Sequence, residues 1–382
     1  MKGAPAQQYS HVFNTHVIVY VFTCAKSLFI AYIIDITVNN SKGQGAMKKK
    51  WAAVCRFGGI GDNLIVSSVL PLLAETHNVE VITKEPQSVI FENNPYIDKL
   101  SVKREGDLPS DGLQWQQWFD KRSAEYDRFY HLSHSIESLV AFMPTQGQFY
   151  WPSGWRRKWS DKNYLEIAHD VCEVRYDFAP QFFPTEEEQE KALATKKLMG
   201  ERVIGWCLGG SRVDKTYPYG PAAIERLIRE TGMPVVMLGA GTHNFQAAKQ
   251  IEAGFKAQNG GEHPGLHLAL SPDMDKPSWP VRRLLAQALT CDILIGPDTG
   301  IMWAGAMQEM PKVMMLSHAS ETNITKHWKN TTTLHASDRV PCWPCHQLHD
   351  TVHTCRSNAD NTGAACISDI PVQALMDAVV AL

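Results

Sequence analysis

The stretch WAAVCRFGGIGDN, residues 51–63, places a short apolar run directly before a glycine-rich turn. Trp51–Arg56 has the composition of a buried strand, and the apolar run Leu64–Leu73 that follows Asp62-Asn63 is typical of a helix. A strand, a glycine turn and a helix in this order form the opening unit of a parallel α/β sheet. The stretch therefore predicts a doubly wound domain that begins near Met47.

The same alternation of strand and helix continues and then restarts in the second half of the chain. Further strands are predicted at Val79–Thr83, Tyr126–Leu132, Val203–Cys207, Pro234–Leu238 and Cys291–Ile295. The last three end in glycine-bearing loops, at the edge where open α/β sheets bind ligands. Thr185, followed by three glutamates, predicts a helix start between the halves. We therefore expect two domains, 47–184 and 185–382, with a cysteine-rich segment at 342–366.

Length and charge exclude several classes of protein. A chain of 382 residues exceeds one ordinary core, which agrees with two domains. Its net charge of −3 disfavours a protein that coats phosphates, and no sequence-specific nucleic-acid partner is expected. Nine cysteines at this length disfavour a disulfide-stapled secreted scaffold and favour a reducing, cytoplasmic compartment.

Residues 1–46 precede the first domain and contain the apolar stretch Val17–Ile34. Two interpretations are open: an appendage that contributes nothing to the function, or a membrane anchor. Lys26 would cost a spanning helix about 2.5–3.5 kcal/mol at the bilayer centre. If the stretch spans, the lysines at 48–50 would place the rest of the chain on the cytoplasmic, inner face of the membrane.

The turn after the first strand has the chemistry of an anion-binding loop. Backbone N–H groups near Gly59 and Gly61 can approach a ligand closely. Leu64 occupies the position of the third glycine of the dinucleotide motif, which disfavours a dinucleotide-dependent oxidoreductase. Asp62 has two interpretations, a helix N-cap or a base that deprotonates an acceptor hydroxyl.

Two loops in the second half carry candidate donor-binding residues. Lys215 follows the glycine turn at Gly209 and Ser211, and a lysine there can contact a diphosphate as a point charge. The alternative is an ordinary surface lysine. The second loop, Asp298-Thr299-Gly300, precedes a helix of small residues and Trp303. Its hydroxyl and helix N-terminus suit phosphate, and its carboxylate suits a sugar hydroxyl.

Aromatic and basic side chains are interleaved between the predicted strands of the first half. They are Trp115, Trp118, Tyr150, Trp151, Trp155, Arg156, Arg157, Lys158 and Trp159. Such a mixture suits a surface that binds sugar or phosphate, and it equally suits ordinary packing at a rim.

The order of these motifs resembles the family 9 glycosyltransferases, the ADP-heptose:lipopolysaccharide heptosyltransferases. The matching segments are Arg56-x-x-x-Ile60-Gly61-Asp62, Leu70-Pro71-Leu72-Leu73, Asn94-Pro95-Tyr96-Ile97-Asp98, Gly209-Gly210-Ser211, Lys215-Thr216-Tyr217-Pro218, Val235-Val236-Met237-Leu238-Gly239 and Pro297-Asp298-Thr299-Gly300-Ile301-Met302. The resemblance implies a GT-B fold, in which two Rossmann-like domains face each other across a cleft.

The resemblance also implies roles for particular residues. The acceptor would bind the first domain, with Gly59 and Gly61 in an acceptor loop, and the nucleotide sugar would bind the second. Asp62 matches the family's proposed base, Lys215 its diphosphate contact, and Asp298, Thr299 and Gly300 its donor loop. Transfer itself is expected to need no metal or other cofactor. Trp303 departs from the pattern, because the family usually has histidine there and tryptophan offers only an N–H donor and a stacking face. A different donor or reduced activity would follow.

Four cysteines gather near the C-terminus, at Cys342, Cys345, Cys355 and Cys366. A CxxC pair with two further cysteines can close a structural zinc or iron site, and the alternative is reduced thiols without a metal. Some heptosyltransferase-like proteins that glycosylate autotransporters are similar in carrying cysteine-bound iron in this part of the chain.

The sequence therefore predicts an inverting glycosyltransferase that moves a heptose-like sugar from a nucleotide-diphosphate donor, ADP-heptose, to a hydroxyl of a glycolipid or protein acceptor such as the lipopolysaccharide core. Peripheral contact with a membrane is part of this interpretation. The alternative is a non-catalytic module on the same fold that binds a sugar nucleotide or a metal, and Trp303 is the feature that favours it.

Overall fold

A computed structural model describes residues 18–24, 27–33, 50–210, 212–261, 263–269, 280–349, 355 and 363–382 of the chain. Two strands near the N-terminus, β1 (Ile18–Cys24) and β2 (Ser27–Ile33), pair as an antiparallel hairpin. They lie within the stretch for which a membrane anchor is one interpretation. In the described ranges, no helix has the length and apolar character needed to cross a bilayer.

The first domain is built on a sheet of four parallel strands. These are β3 (Lys50–Cys55), β4 (His77–Lys84), β5 (Lys99–Lys103) and β6 (Arg128–His131), in the spatial order β5-β4-β3-β6. Its helices are α1 (Ile60–Ser67), α2 (Leu70–Ala74), α3 (Gly112–Ser123), α4 (Ser135–Leu139), α5 (Ser153–Ser160) and α6 (Tyr164–Val171). The predicted strands are confirmed to within two residues.

The helix predicted at Leu64–Leu73 is wrong in two respects. It begins at Ile60, four residues earlier, and it is two helices rather than one. Pro71 has no N–H to donate to the preceding turn, so a continuous i→i−4 ladder is impossible there. The backbone tightens instead, with Ser68 donating to the carbonyl of Ile65 at 3.2 Å.

The second domain has a sheet of six parallel strands. They are β7 (Ile204–Cys207), β8 (Val235–Leu238), β9 (Leu266–Ala269), β10 (Ile293–Pro297), β11 (Lys312–Met315) and β12 (Thr331–Leu334), in the order β12-β11-β10-β7-β8-β9. Its helices are α7 (Glu186–Met199), α8 (Gly220–Thr231), α9 (Gly241–Asn259), α10 (Val281–Thr290), α11 (Gly300–Gly305), α12 (Ala365–Ser368) and α13 (Val372–Val380). Strands such as β8 are buried on both faces, as parallel sheets covered by helices require.

Both sheets have the Rossmann strand order. If the strands of each sheet are numbered along the chain, their spatial order in the second sheet is 3-2-1-4-5-6 and in the first sheet 3-2-1-4. Helix α7 begins where the sequence predicts: the hydroxyl of Thr185 accepts from the N–H of Glu188 at 3.1 Å, and the Glu188 carboxylate accepts from the N–H of Thr185 at 2.8 Å.

Buried arginine and asparagine side chains join the two domains. Arg282 of α10 donates to the carbonyls of Val89 and Glu92 in the first domain, at 2.8 and 3.0 Å, and forms an ion pair with Glu188 of α7. On another side, Asn323 donates to the carbonyls of Ser160 and Lys162 at 2.7 and 2.8 Å. One core of buried apolar side chains continues from the first sheet to the second. These contacts fix how the edges of the two sheets face each other.

Candidate active site

The predicted motif loops lie at the two points where the strand order reverses. In the first sheet, the chain leaves β3 for β4 on one side and returns as β6 on the other, so a crevice opens at the carboxyl ends of β3 and β6. In the second sheet, β7 and β10 create the equivalent crevice. The Gly59–Asp62 loop follows β3, the Gly209–Lys215 loop follows β7, and the Asp298–Gly300 loop follows β10.

The first turns of α1 and α11 touch each other across the domain boundary. A Cβ placed on Gly300 would lie 2.7 Å from Cγ2 of Ile60 and 3.1 Å from the backbone nitrogen of Gly61. A Cβ on Gly61 would lie 3.1 Å from Cδ1 of Trp303. Only glycines allow this approach. The contact places the Gly59–Asp62 loop of the first domain directly against the Asp298–Gly300 loop of the second.

Asp62 is held by a buried arginine. Its Oδ1 lies 2.9 Å from Nη2 of Arg56, and its Oδ2 accepts from the N–H of Gly59 at 2.7 Å. Arg56 also contacts both carboxylate oxygens of Glu137 and donates to the carbonyl of Leu132 at 2.6 Å. Burial opposes the guanidinium charge, but the two carboxylates outweigh burial and raise the pKa of Arg56. A permanently charged arginine therefore orients the Asp62 carboxylate.

The structure corrects the capping interpretation of Asp62. The N-cap of α1 is Gly59, and Asp62 is the third helical residue, which reaches back to the N-cap N–H. This also means that the Gly59 N–H is engaged by Asp62 rather than free for an anion. The Asp62 side chain is 28% exposed, so a substrate hydroxyl can approach it even though both oxygens already have protein donors.

Asp298 binds two of the other predicted donor residues. Its Oδ2 accepts from Nζ of Lys215 at 2.7 Å, and its Oδ1 accepts from Nε1 of Trp303 at 2.8 Å. Burial opposes both charges. The charge of Lys215 nevertheless lowers the pKa of Asp298. In turn, the carboxylates of Asp298 and Asp214 raise the pKa of Lys215. The pair therefore stays ionised, and the ammonium keeps two further hydrogens for a ligand.

Trp303 is part of the domain interface rather than of an open pocket. It is almost fully buried, its ring stacks parallel to Tyr164 with centroids 6.3 Å apart, and it meets Trp328 edge-on at 4.9 Å. Where the family usually has histidine, this chain has an aromatic cluster that supplies one N–H to Asp298. The departure noted in the sequence thus has a structural role.

The turn before Lys215 needs a glycine at position 209 because of its backbone conformation and close contacts. Gly209 has φ of +152°, and a Cβ there would lie 2.8 Å from the carbonyl oxygen of Lys215. The turn therefore folds back on the segment that carries the lysine. Ser211, also predicted to bind the donor, lies outside the residues that the structure describes.

Two buried hydroxyls at the site have no hydrogen-bond partner among the described oxygen and nitrogen atoms. They are Oγ1 of Thr299, in the loop after β10, and the phenol of Tyr164. Burial and the nearby carboxylates of Asp298, Glu137 and Asp62 raise the pKa of Tyr164 well above its ordinary value, so the phenol remains a donor. Buried polar groups without partners are uncommon in proteins, and a bound ligand is one way to satisfy them.

Asp214 lies immediately before Lys215 and is held by two basic side chains. Its Oδ2 is 3.1 Å from Nδ1 of His318, and its Oδ1 is 3.2 Å from Nε of Arg212. Burial opposes its charge, but His318 and Arg212 outweigh burial and lower the pKa of Asp214. On the other side of the loop, the hydroxyl of Tyr217 donates to the carbonyl of Ile370 at 2.9 Å.

The four predicted metal-ligating cysteines are near one another. Burial raises the pKa of the Cys345 thiol to about 12, and repulsion from Cys342 and Cys355 adds to it. Cys366 is affected in the same way by Cys345 and Cys355. Among the described residues, however, no three His, Cys, Asp or Glu side chains lie close enough together to hold a metal ion. The sulfurs are gathered in one region but do not form a ligand shell in this structure.

Several residues of the site are not indicated by the sequence motifs. Arg56 belongs to a motif that implies no role for it, and Glu137, Tyr164, Asp214 and His318 lie in no predicted motif. An arginine at the end of a buried strand, six residues before an aspartate, is a usable signal for the Arg56–Asp62 pair. Tyr164 and His318 carry no such signal. The Tyr164 contact arises only when α6 packs against the second domain, and His318 meets Asp214 across 104 residues of the chain.

Comparison with known proteins agrees with this architecture. No protein-family model and no curated protein sequence match the chain. Among solved structures, a family 9 glycosyltransferase from Veillonella parvula has a TM-score of 0.60 and 14% identity, over 89% of this chain and 98% of its own. Escherichia coli ADP-heptose lipopolysaccharide heptosyltransferase II has a TM-score of 0.56 and 16% identity, over 86% and 98%.

A third similar structure contains a metal. It is the dodecameric, iron-containing heptosyltransferase TibC of enterotoxigenic E. coli, in complex with ADP-D-β-D-heptose. Its TM-score is 0.53 and its identity 10%, over 92% of this chain and 84% of its own. At these identities the likeness establishes the fold. The chain has the GT-B fold of the family 9 glycosyltransferases, as its sequence motifs predict.

Proposed function

We propose that this protein is an inverting glycosyltransferase that transfers a heptose-like sugar from a nucleotide-diphosphate donor, ADP-heptose, to a hydroxyl acceptor. The observation that carries the proposal is the contact between Gly61 and Gly300. It brings Asp62, at one switch point, next to the loop of Asp298 and Lys215 at the other. Two of the similar structures are described as heptosyltransferases, and one of them holds ADP-heptose.

The proposed reaction follows from the placement of these groups. The acceptor hydroxyl oxygen attacks the anomeric carbon from the face opposite the diphosphate, and Asp62 takes the hydroxyl proton. The bond between the anomeric carbon and the diphosphate oxygen breaks, and the diphosphate leaves with the electron pair. Lys215, still bound to Asp298, stabilises that negative charge. Attack on the opposite face inverts the configuration.

The remaining predicted donor residues have supporting roles in this proposal. The Thr299 hydroxyl, which has no oxygen or nitrogen partner in the part of the chain that the structure describes, would donate to the donor phosphate or sugar. The backbone at Gly209 and Gly300 allows close approach of the ligand, and Ser211 belongs to the same loop as Lys215. We place Gly59 and Gly61 on the acceptor side. The acceptor is a glycolipid such as the lipopolysaccharide core, or a protein hydroxyl, on the cytoplasmic side of the inner membrane.

A structural zinc or iron at Cys342, Cys345, Cys355 and Cys366 is the second part of the proposal. Its support is the mutual proximity of the thiols and the description of TibC as iron-containing. Since the described sulfurs do not form a ligand shell, no step of the transfer is assigned to this metal. When bound, the metal would cross-link the two ends of the cysteine-rich segment 342–366.

One observation favours the alternative of a non-catalytic module. Trp303 is buried, and its indole N–H already binds Asp298. Its side chain therefore has no polar group left for the nucleotide sugar, at the position where the family usually has histidine. The arrangement of Asp62 and Arg56 weighs against this alternative, because a binding module has no need of a partly exposed carboxylate opposite the donor loop.

A thermal-shift screen tests the proposal. Ligands that bind only the folded state raise stability by RT ln(1 + [L]/Kd), about 2.7 kcal/mol at a hundredfold excess over Kd. We expect ADP-heptose and ADP to raise the melting temperature by several degrees and adenosine to raise it far less. Release of ADP from ADP-heptose then separates an enzyme from a binding module. No shift with any nucleotide diphosphate or its sugars would refute both the transferase and a module that binds a sugar nucleotide.

A further inference from the structure

A surface on the first domain carries exposed aromatic side chains, an exposed lysine and a half-buried arginine that the proposed reaction does not use. We call it the α5 surface; it consists of Tyr150, Trp155, Arg157, Lys158 and Trp159. The three aromatic side chains are 72%, 51% and 53% exposed, respectively. Among the described residues, Trp155 and Trp159 are the tryptophans that expose more than half of their surface. Large exposed apolar groups that cluster in this way mark interaction sites.

The helix that presents this surface is fixed from behind. Arg156, on the buried side of α5, donates to the carbonyls of Cys345 and Phe149 at 2.6 and 3.2 Å and to the side chain of Gln347 at 3.2 Å. Trp155 and Trp159 are four residues apart and so share one face of the helix. The α5 surface is therefore held in place on the body of the protein rather than carried on a loose loop.

The α5 surface is basic as well as aromatic. Residues 138–160 contain no aspartate or glutamate, although the whole chain carries a net charge of −3. Arg157 and Lys158 both lie in this stretch, and the Lys158 ammonium sits 5.9 Å from the centre of the Trp159 ring. Arg157 donates to the carbonyls of Pro344 and Pro341, which do not neutralise its charge. The partner must therefore accept both positive charge and aromatic rings.

We propose that the α5 surface binds the headgroup region of an anionic phospholipid bilayer. Tryptophan and tyrosine prefer the boundary between hydrocarbon and water, and lysine and arginine bind lipid phosphates. A second copy of the chain fits less well, because a two-fold symmetric contact would place one basic patch against another. The proposal does not rest on the proposed transfer, but it would place the protein where a glycolipid acceptor is presented.

Vesicle co-sedimentation tests the proposal on the full chain, without donor or acceptor. We expect binding to vesicles of phosphatidylglycerol and phosphatidylethanolamine, weak binding to phosphatidylcholine alone, and loss of binding as salt is raised, since the Debye length falls from about 10 Å at 0.1 M to 3 Å at 1 M. The double variant Trp155→Ala/Trp159→Ala should bind anionic vesicles at least tenfold more weakly. Leu198→Ala is the control, because Leu198 is 88% exposed on α7 and outside the α5 surface.

The charge-reversal variant Lys158→Glu keeps the test decisive if the double variant does not fold. It changes an exposed side chain and should weaken binding to anionic vesicles by about fivefold or more, in line with roughly 1 kcal/mol per basic residue near an anionic surface. Equal binding of variants and wild type would overturn the proposal. So would equal binding to neutral and anionic vesicles, or conversion of an oligomer to a monomer by the double variant with no change in vesicle binding. Nucleotide binding is measured alongside, so a failed donor site is recognised separately.

Discussion

Asp298 is the residue through which the donor loop is organised. One of its oxygens holds Lys215 and the other holds Trp303, and it is almost fully buried. An acidic side chain so engaged is poorly placed to accept a sugar hydroxyl, which was one expectation from the sequence. Its role in the proposed site is to keep the Lys215 ammonium charged and directed. Trp303 is compatible with that role, because its uncharged indole N–H donates a hydrogen bond to the Asp298 carboxylate.

Lys215→Ala tests this role at the residue scale. We expect the variant to bind ADP at least tenfold more weakly and adenosine with little change, because a charge-assisted contact is worth about 1.5–3 kcal/mol. Calorimetry with both ligands measures the two dissociation constants. Lys329→Ala is the matched control, since Lys329 forms a 2.7 Å pair with Glu309 on the protein surface. Equal losses for ADP and adenosine would contradict a diphosphate contact.

The sequence could indicate Lys215 but not its partner. Spacing after a glycine turn marks the lysine, whereas its ion pair joins loops 83 residues apart in the chain. Such a contact depends on β7 and β10 being neighbours, which only the strand order of the sheet decides. The same holds for the stacking of Tyr164 on Trp303, whose two rings come from different domains.

At the scale of elements, the strands of both sheets were predictable and the helix ends less so. Runs such as Val235–Leu238 are apolar on both faces, which identifies a covered parallel strand without reference to its neighbours. The start of α1 depends instead on the backbone of Gly59 and on the Asp62 carboxylate that accepts from it. The apolar run alone begins at Leu64 and therefore predicts the start of that helix four residues too late.

The cysteine-rich segment carries the prediction that belongs to this scale. Protein purified under reducing, iron- and zinc-replete conditions should hold about one metal ion per chain, a closed four-thiolate site that stabilises the fold. Elemental analysis measures the content. Cys345→Ser should lose the metal and lower the melting temperature, while the folded fraction keeps some turnover. Cys172→Ser, a buried cysteine outside the segment, should keep the metal.

A metal-free wild-type protein under those conditions would remove the metal site from the proposal. The structure gives a reason to expect an effect on stability beyond the segment itself. Arg156 and Arg157 of α5 donate to the carbonyls of Cys345, Pro344 and Pro341, so this segment also ties the second domain to the first.

At the scale of the whole molecule, the proposed site exists only because two Rossmann-like sheets face each other. Each sheet supplies one crevice at its switch point, and Arg282 and Asn323 hold the domains so that Gly61 meets Gly300. The strand–helix alternation predicted two such domains. It could not predict their relative placement, which depends on side chains that donate to backbone carbonyls of the other domain. The family resemblance supplied that expectation, and the structure confirms the fold.

The central claim is that a base on the first domain acts on a donor held by the second, and Asp62→Asn separates these two parts. The amide is not basic, so transfer from ADP-heptose should fall by about 10²–10⁴. Donor binding should change little, because Lys215 and Asp298 are untouched. Asparagine also loses the ion pair with Arg56, so the melting temperature is measured to confirm folding.

The decisive measurement is therefore ADP release from ADP-heptose in the presence of lipopolysaccharide-core acceptor, paired with calorimetry of donor binding, for wild type, Asp62→Asn and Asp111→Asn. Asp111 is an exposed N-cap that accepts from Gln114 at 2.9 Å, so its variant controls for the loss of a carboxylate at a helix start. We predict that only Asp62→Asn loses turnover while all three proteins bind the donor equally well. Full turnover by folded Asp62→Asn would contradict the account.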